Sequence, residues 1–225
     1  MRRGSLLGVL LLASAVAAMA QGAQVVVEDW SKTPVGQKGV PTGWKTQSWG
    51  NPKYEFEVVS ESPSRVLHLI SNGDSSTISK DINRIDCKDY PILQWRWKAV
   101  ELPKGADARK KATDDEALQL YVTFPRFPNA VRSRIIGYIW DTTAPAGSIF
   151  KSQKTGLVTY VVMRSGEADL GKWFTETRNV CEDYKKIYGE EPDEKIEAIS
   201  VGIDSDDVRS RAEGYIGEIV FLRKP

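Results

Sequence analysis

The sequence predicts an all-β fold, two packed sheets interrupted by a single helix, and three observations predict it. Residues 90–98 alternate, with Leu93, Trp95 and Trp97 on one side and Gln94, Arg96 and Lys98 on the other. Residues 118–124 do the same, setting Leu118, Leu120, Val122 and Phe124 against Gln119, Tyr121 and Thr123. Side chains on a strand point to alternate faces, so both stretches read as half-buried strands that turn an apolar face to a core. The third observation is punctuation: short apolar runs recur along the chain, separated by Gly, Pro, Asn and Asp.

In chain order, Val25, Val26 and Val27 open the first strand. Residues 31–52 are rich in Gly and Pro, with Trp44 and Trp49 expected as plugs over the core edge. Residues 54–59 place Tyr54, Phe56 and Val58 together. Residues 65–70 and 77–82 form a hairpin around Asn72-Gly73-Asp74. Beyond the central pair, strands are expected at 134–140, 157–163, 196–203 and 214–222. The loop 101–113, with Arg109-Lys110-Lys111, reads as a solvated flap. One helix is expected over 179–188. Asn179 caps it, Glu182 stands three residues on, Val180, Tyr184 and Ile187 share a side, and Gly189 and Pro192 end it.

Arg2 and Arg3, the apolar run 6–18 and Ala18-Met19-Ala20 have the form of a signal peptide. Cleavage after Ala20 is expected, leaving residues 21–225 as one β-sandwich domain in the periplasm or outside the cell. The chain carries 31 basic and 30 acidic side chains. A charge so near zero gives no electrostatic case for nucleic acid, and no other stretch is apolar enough to cross a membrane. In an oxidising compartment Cys87 and Cys181 are a possible disulfide, with two separate thiols as the alternative.

The order Pro91-x-Leu93-x-Trp95-x-Trp97-Lys98, Asp114-Asp115 before Leu120-Tyr121-Val122-x-Phe124, and Tyr138-x-Trp140 resembles the bacterial domain of unknown function 3047. So do Trp173, Arg178-Asn179-Val180, Asp183-Tyr184, Asp204-x-Asp206 and Tyr215-x-Gly217-Glu218-Ile219, where the family usually ends in Gly-Asp-Ile. The resemblance spans nearly the whole mature chain. It implies an exported protein and supplies no reaction. More distantly the layout is similar to jelly-roll modules of the galactose-binding type, many of which bind carbohydrate. The fold expected is thus a jelly-roll β-sandwich with one short helix.

Chemistry is sparser. His68 is the only histidine and alternates along a strand between Leu67 and Leu69; no Gly-x-Ser-x-Gly elbow accompanies it. Asp204-Ser205-Asp206-Asp207 lacks the EF-hand glycine, since Arg209 stands in its place, so the acids read as solvating strand ends. No metal or cofactor is expected. Polar strand faces carry more information. Arg96, Gln119, Tyr121, Tyr138 and Trp140, with Tyr160 and Arg164, are expected on one outer sheet face. There aromatic rings offer apolar surface to sugar C–H groups, and Arg and Gln offer forked hydrogen bonds. Asp114, Asp115 and Arg178 are expected to brace loops, with Asp204 and Asp206 at strand ends as a possible site. The expectation is a non-catalytic exported module for carbohydrate or another small polar ligand. An envelope protein is the alternative partner, and a carbohydrate-active enzyme using loop carboxylates is a further alternative.

Overall fold

The computed structural model describes residues 24–223, so the leader read in residues 1–20 lies outside the described residues. Two sheets pack face to face. One contains β1 (Gln24–Glu28), β3 (Glu55–Glu61), β4 (Ser64–Asn72), β6 (Ile92–Glu101), β11 (Phe174–Asn179) and β13 (Arg211–Leu222). Its order is β11-β6-β13-β4-β3, with β1 also beside β13, and every pairing is antiparallel. The other contains β2 (Lys45–Thr46), β5 (Ser75–Ile85), β7 (Leu118–Phe124), β8 (Arg134–Asp141), β9 (Ile149–Lys151), β10 (Val158–Ser165) and β12 (Ile196–Asp204). These run in the order β2-β5-β12-β7-β8-β10-β9, with β8 and β10 parallel. The architecture is the β-sandwich that the alternation predicts.

Large aromatic rings fill the space between the sheets. Trp95 and Trp97 reach in from β6, and Tyr138 and Trp140 from β8; all four are fully buried. Ring centroids lie 5.1 Å apart for Trp95 and Tyr138, and 6.2 Å for Trp97 and Trp140. Three of the four polar tips find partners, and Trp95 Nε1 is buried without one. Trp97 Nε1 donates to Glu176 Oε1 at 3.1 Å, and the Tyr138 hydroxyl donates to Asp183 Oδ2 at 2.7 Å. The sheets approach closely where β13 crosses Leu118: a Cβ at Gly214 would fall 2.8 Å from a Leu118 methyl carbon.

This packing corrects the expected placement of Tyr138 and Trp140. β8 pairs with β7 so that Tyr138 stands opposite Leu120 and Trp140 opposite Leu118. Directly opposed residues share a face. Both rings therefore point into the core with the leucines, and Gly137 and Ile139 point outward. Alternation could not reveal this, because β8 is apolar on both sides. Outside it lie Ala108 and Ala144, which pack with Ile139. Ala108 belongs to the loop 101–113, so the expected solvated flap is instead anchored by buried Ala106, Asp107 and Ala108.

Two other differences follow from edges. β11, with the polar sequence FTETRN, was not expected as a strand. It forms because it borders β6, laying Glu176 opposite Trp95. Trp44 is buried and stacks on Trp30 at 5.5 Å, as a plug should, but Trp49 is 60% exposed. Besides the short α1 (Asn129–Arg132), the predicted helix is α2 (Val180–Tyr188). Asn179 Oδ1 accepts from the Glu182 amide at 3.2 Å, and Gly189 closes the helix in the left-handed region at φ 77°. Cys87 and Cys181 are joined, Cα atoms 5.8 Å apart, tying the segment between β5 and β6 to α2.

Trp97→Ala is expected to cost about 3–5 kcal/mol in urea unfolding, because it empties a fully buried site. Replacing both cysteines by serine should remove about 2–5 kcal/mol, since the bridge closes a long loop of 94 residues in sequence. A midpoint unchanged by either variant would contradict the packing described.

Candidate functional site

The outer face of the seven-stranded sheet carries a groove of about 740 Å³. Strand parity builds its floor. Thr77 of β5, Ser200 of β12, Gln119, Tyr121 and Thr123 of β7, and Tyr160 of β10 all project outward. The segment 47–53 forms one wall and carries the exposed Trp49; Ser152 and Lys154, between β9 and β10, form another.

Gly137 explains how two tyrosines fit side by side. It lies on β8 directly opposite Tyr121 of β7 and Tyr160 of β10. A Cβ there would stand 2.8 Å from Tyr121 Cε1 and 3.0 Å from Tyr160 Cδ1. Both rings fold over the bare backbone, which no other residue type permits. Burial pushes both phenols well above the ordinary tyrosine range, so they stay neutral. Gln119 is fixed from beneath: its Nε2 donates to Glu116 Oε2. Its carbonyl oxygen is thereby turned toward Gly202.

Carboxyl groups gather under one end of the groove. Asp114, Asp115 and Glu116 lead into β7, Asp204 ends β12, and Asp206 and Asp207 follow it. Antiparallel pairing of β7 with β12 brings the two segments together. Asp115 accepts from the amides of Asp207 at 3.2 Å and Val208 at 2.7 Å, bracing that turn. Asp204 Oδ2 accepts from Ser75 Oγ at 2.9 Å, and Asp114 Oδ2 from Ser152 Oγ at 3.2 Å. Lys154 reaches in with its Nζ 2.6 Å from Asp207 and 3.7 Å from Asp206.

Burial raises the pKa of Asp114 and Asp115. It raises Glu116 and Asp204 much further, with the neighbouring carboxylates Asp114 and Asp204 adding to Glu116, and Asp115 to Asp204. Burial works against the Lys154 ammonium, yet Asp207 and the other acids outweigh it and hold the amine above its ordinary range.

The expected site residues are thus divided. Gln119 and Tyr121 line the groove, and Asp204 and Asp206 line its acidic end. Asp114 and Asp115 lie beneath that end. Arg96 lies on the other sheet, with its guanidinium 4.9 Å from the centre of the Trp173 ring. Tyr138 and Trp140 face the core. Arg164 follows a bulge in β10 and pairs with Glu176 at 2.6 Å. Arg178 grips Asp183 through Nε at 2.8 Å and through a second guanidinium nitrogen, so it braces the junction of β11 and α2. Sequence reasoning missed Trp49, Thr77, Ser200, Lys154 and Glu116. Thr77 and Ser200 were within reach, since their strands alternate; Trp49 and Lys154 sit in loops with no period. His68 lies on the far sheet, stacked on Tyr215 at 4.3 Å, with Nε2 2.9 Å from Glu213.

No helix among the described residues is long and apolar enough to cross a membrane. No curated protein matches the sequence. Among solved structures, the chain is similar to the family 11 carbohydrate-binding module of the cellulosomal cellulase Lic26A-Cel5E of Clostridium thermocellum. Identity there is 9%, coverage is 89% of this chain and 95% of that one, and the TM-score is 0.46. The family 30 module of Cel9D-Cel44B from Clostridium thermocellum gives 12%, 89%, 98% and 0.46. TmCBM61 in complex with β-1,4-galactotriose gives 11%, 88%, 99% and 0.41. These are likenesses of layout and carry no weight for function. Residues 42–220 match the family model described as protein of unknown function (DUF3047), and the chain belongs to that family.

Proposed function

We propose that this protein is an exported module that binds a saccharide in the groove over the seven-stranded sheet and performs no chemistry on it. The carrying observation is the pair of tyrosine rings laid over Gly137 on the groove floor. Rings set side by side over Gly137 offer apolar surface to sugar C–H faces, while Gln119, Thr77, Thr123 and Ser200 offer the hydrogen bonds that hydroxyls need. A volume of about 740 Å³ suits a short oligosaccharide rather than a single small ion. Trp49 at the rim supplies a further stacking surface that costs the fold little to lose, because it is mostly exposed. The leader-like residues 1–20 are what support export.

A panel of cell-envelope and plant glycans, read by calorimetry and tryptophan fluorescence, tests this. Binding to at least one glycan is expected, weakened about tenfold by Trp49→Ala through loss of one stacked ring. Gly137→Ala should weaken it further by pushing both tyrosines aside. No glycan binding at millimolar concentration, or binding indifferent to both substitutions, would sink the reading. Turnover of a glycan, lost in Asp204→Asn, would replace it with catalysis.

A further inference from the structure

The acidic end of the groove gathers more carboxyl groups than its basic partners reach. Six carboxyl groups converge there, those of Asp114, Asp115, Glu116, Asp204, Asp206 and Asp207. Among the described residues, the ion pairs to this group come from Lys154 alone. Carboxylates taken out of water need hydrogen-bond donors, a cation, or both. Apart from each other, Asp114 Oδ1 and Glu116 Oε1 have no donor, on side chains 1% and 0% exposed. The Glu116 carboxyl lies close enough to those of Asp114 and Asp204 for their charges to act on it directly. Two further buried carboxyls therefore stand against the same cluster.

Geometry defines where a cation would sit. One oxygen each from Asp115, Asp204 and Asp206 lies within 4.8 Å of the other two. Ligands about 2.4 Å from one calcium ion can be no more than about 4.8 Å apart, so the three oxygens can share an ion. The donor set is wholly oxygen. The sole histidine is on the far sheet, and both cysteines are bridged. Hard cations prefer such a set, and softer ones such as zinc do not. Ligands drawn from two chain segments, with an exposed carboxylate completing the set, suit calcium better than the small rigid shell of magnesium.

We propose that Asp115, Asp204 and Asp206 form a binding site for a divalent cation of the calcium class at the end of the groove. This departs from the expectation of no metal, which rested on the failed EF-hand spacing. That spacing tests one contiguous loop, whereas this site joins the start of β7 to the turn after β12. Lys154 stands at the mouth of the site, where its ammonium competes for Asp206 and swings out as the ion enters. The exposed Asp206 gives the ion its route from solvent. A cation there needs no saccharide in the groove.

Calcium alone, titrated into chelator-treated protein and read by calorimetry and thermal melting, tests the site. One calcium per chain and a higher melting temperature are expected. Asp206→Asn, at an exposed position, should fold as before and weaken calcium binding at least about tenfold. Lys154→Met should tighten it by removing the competing ammonium. Absence of heat and of any melting shift with calcium, magnesium or manganese would overturn the assignment. So would calcium binding that persists unchanged in Asp206→Asn and in Asp204→Asn. Neither readout involves a glycan, so failure here and failure of saccharide binding are separate results.

Discussion

The arrangement of the molecule depends on four rings meeting between two sheets. Trp95 and Trp97 from one side and Tyr138 and Trp140 from the other occupy the thickness of the sandwich. Each aromatic side chain buries roughly 150–250 Å², so together they dominate the apolar area lost from water. Because strands alternate, committing Tyr138 and Trp140 inward commits Gly137 and Ile139 outward. The outer face of β8 then has one residue without a side chain and one covered by Ala108 and Ala144. The glycine becomes the bed for Tyr121 and Tyr160. The groove floor is in this sense the reverse side of the core.

Polar groups sustain that arrangement where hydrophobic packing cannot. Asp183 accepts from Tyr138 and is held in turn by Arg178. A core hydroxyl is thereby tied to the first turn of α2, and the disulfide fixes that helix from its other side. Glu176 does comparable service for Trp97 and Arg164. A buried network of this kind specifies one packing because each member would be left without a partner in any other.

Much of this was legible in the sequence, and the limits have physical causes. β6 and β7 were readable with correct faces because each has one polar side, and a period of two is informative only when the two sides differ. β8 has apolar residues at both parities, so its orientation depends on register with β7, a relation between distant segments. Asn179 and Gly189 marked the helix because caps are local chemistry. Of the candidate ligand contacts, Gln119 and Tyr121 belonged to a strand with contrast and reached the groove; Tyr138 and Trp140 did not. Arg96 was assigned to the wrong sheet, since alternation says nothing about which layer a strand joins. The acidic cluster was visible only as separate Asp pairs until the pairing of β7 with β12 drew them together.

The strand orders have a consequence for how the chain is made. β12 lies between β5 and β7, and β13 between β4 and β6, so the last two described strands sit inside their layers rather than at the edges. Synthesis runs from the other end. Until both have emerged, each layer is split along its length, with unpaired amides and carbonyls lining two open seams. Without β13, β6 and β4 lack the neighbour they share, so the six-stranded layer closes only once that strand is in place.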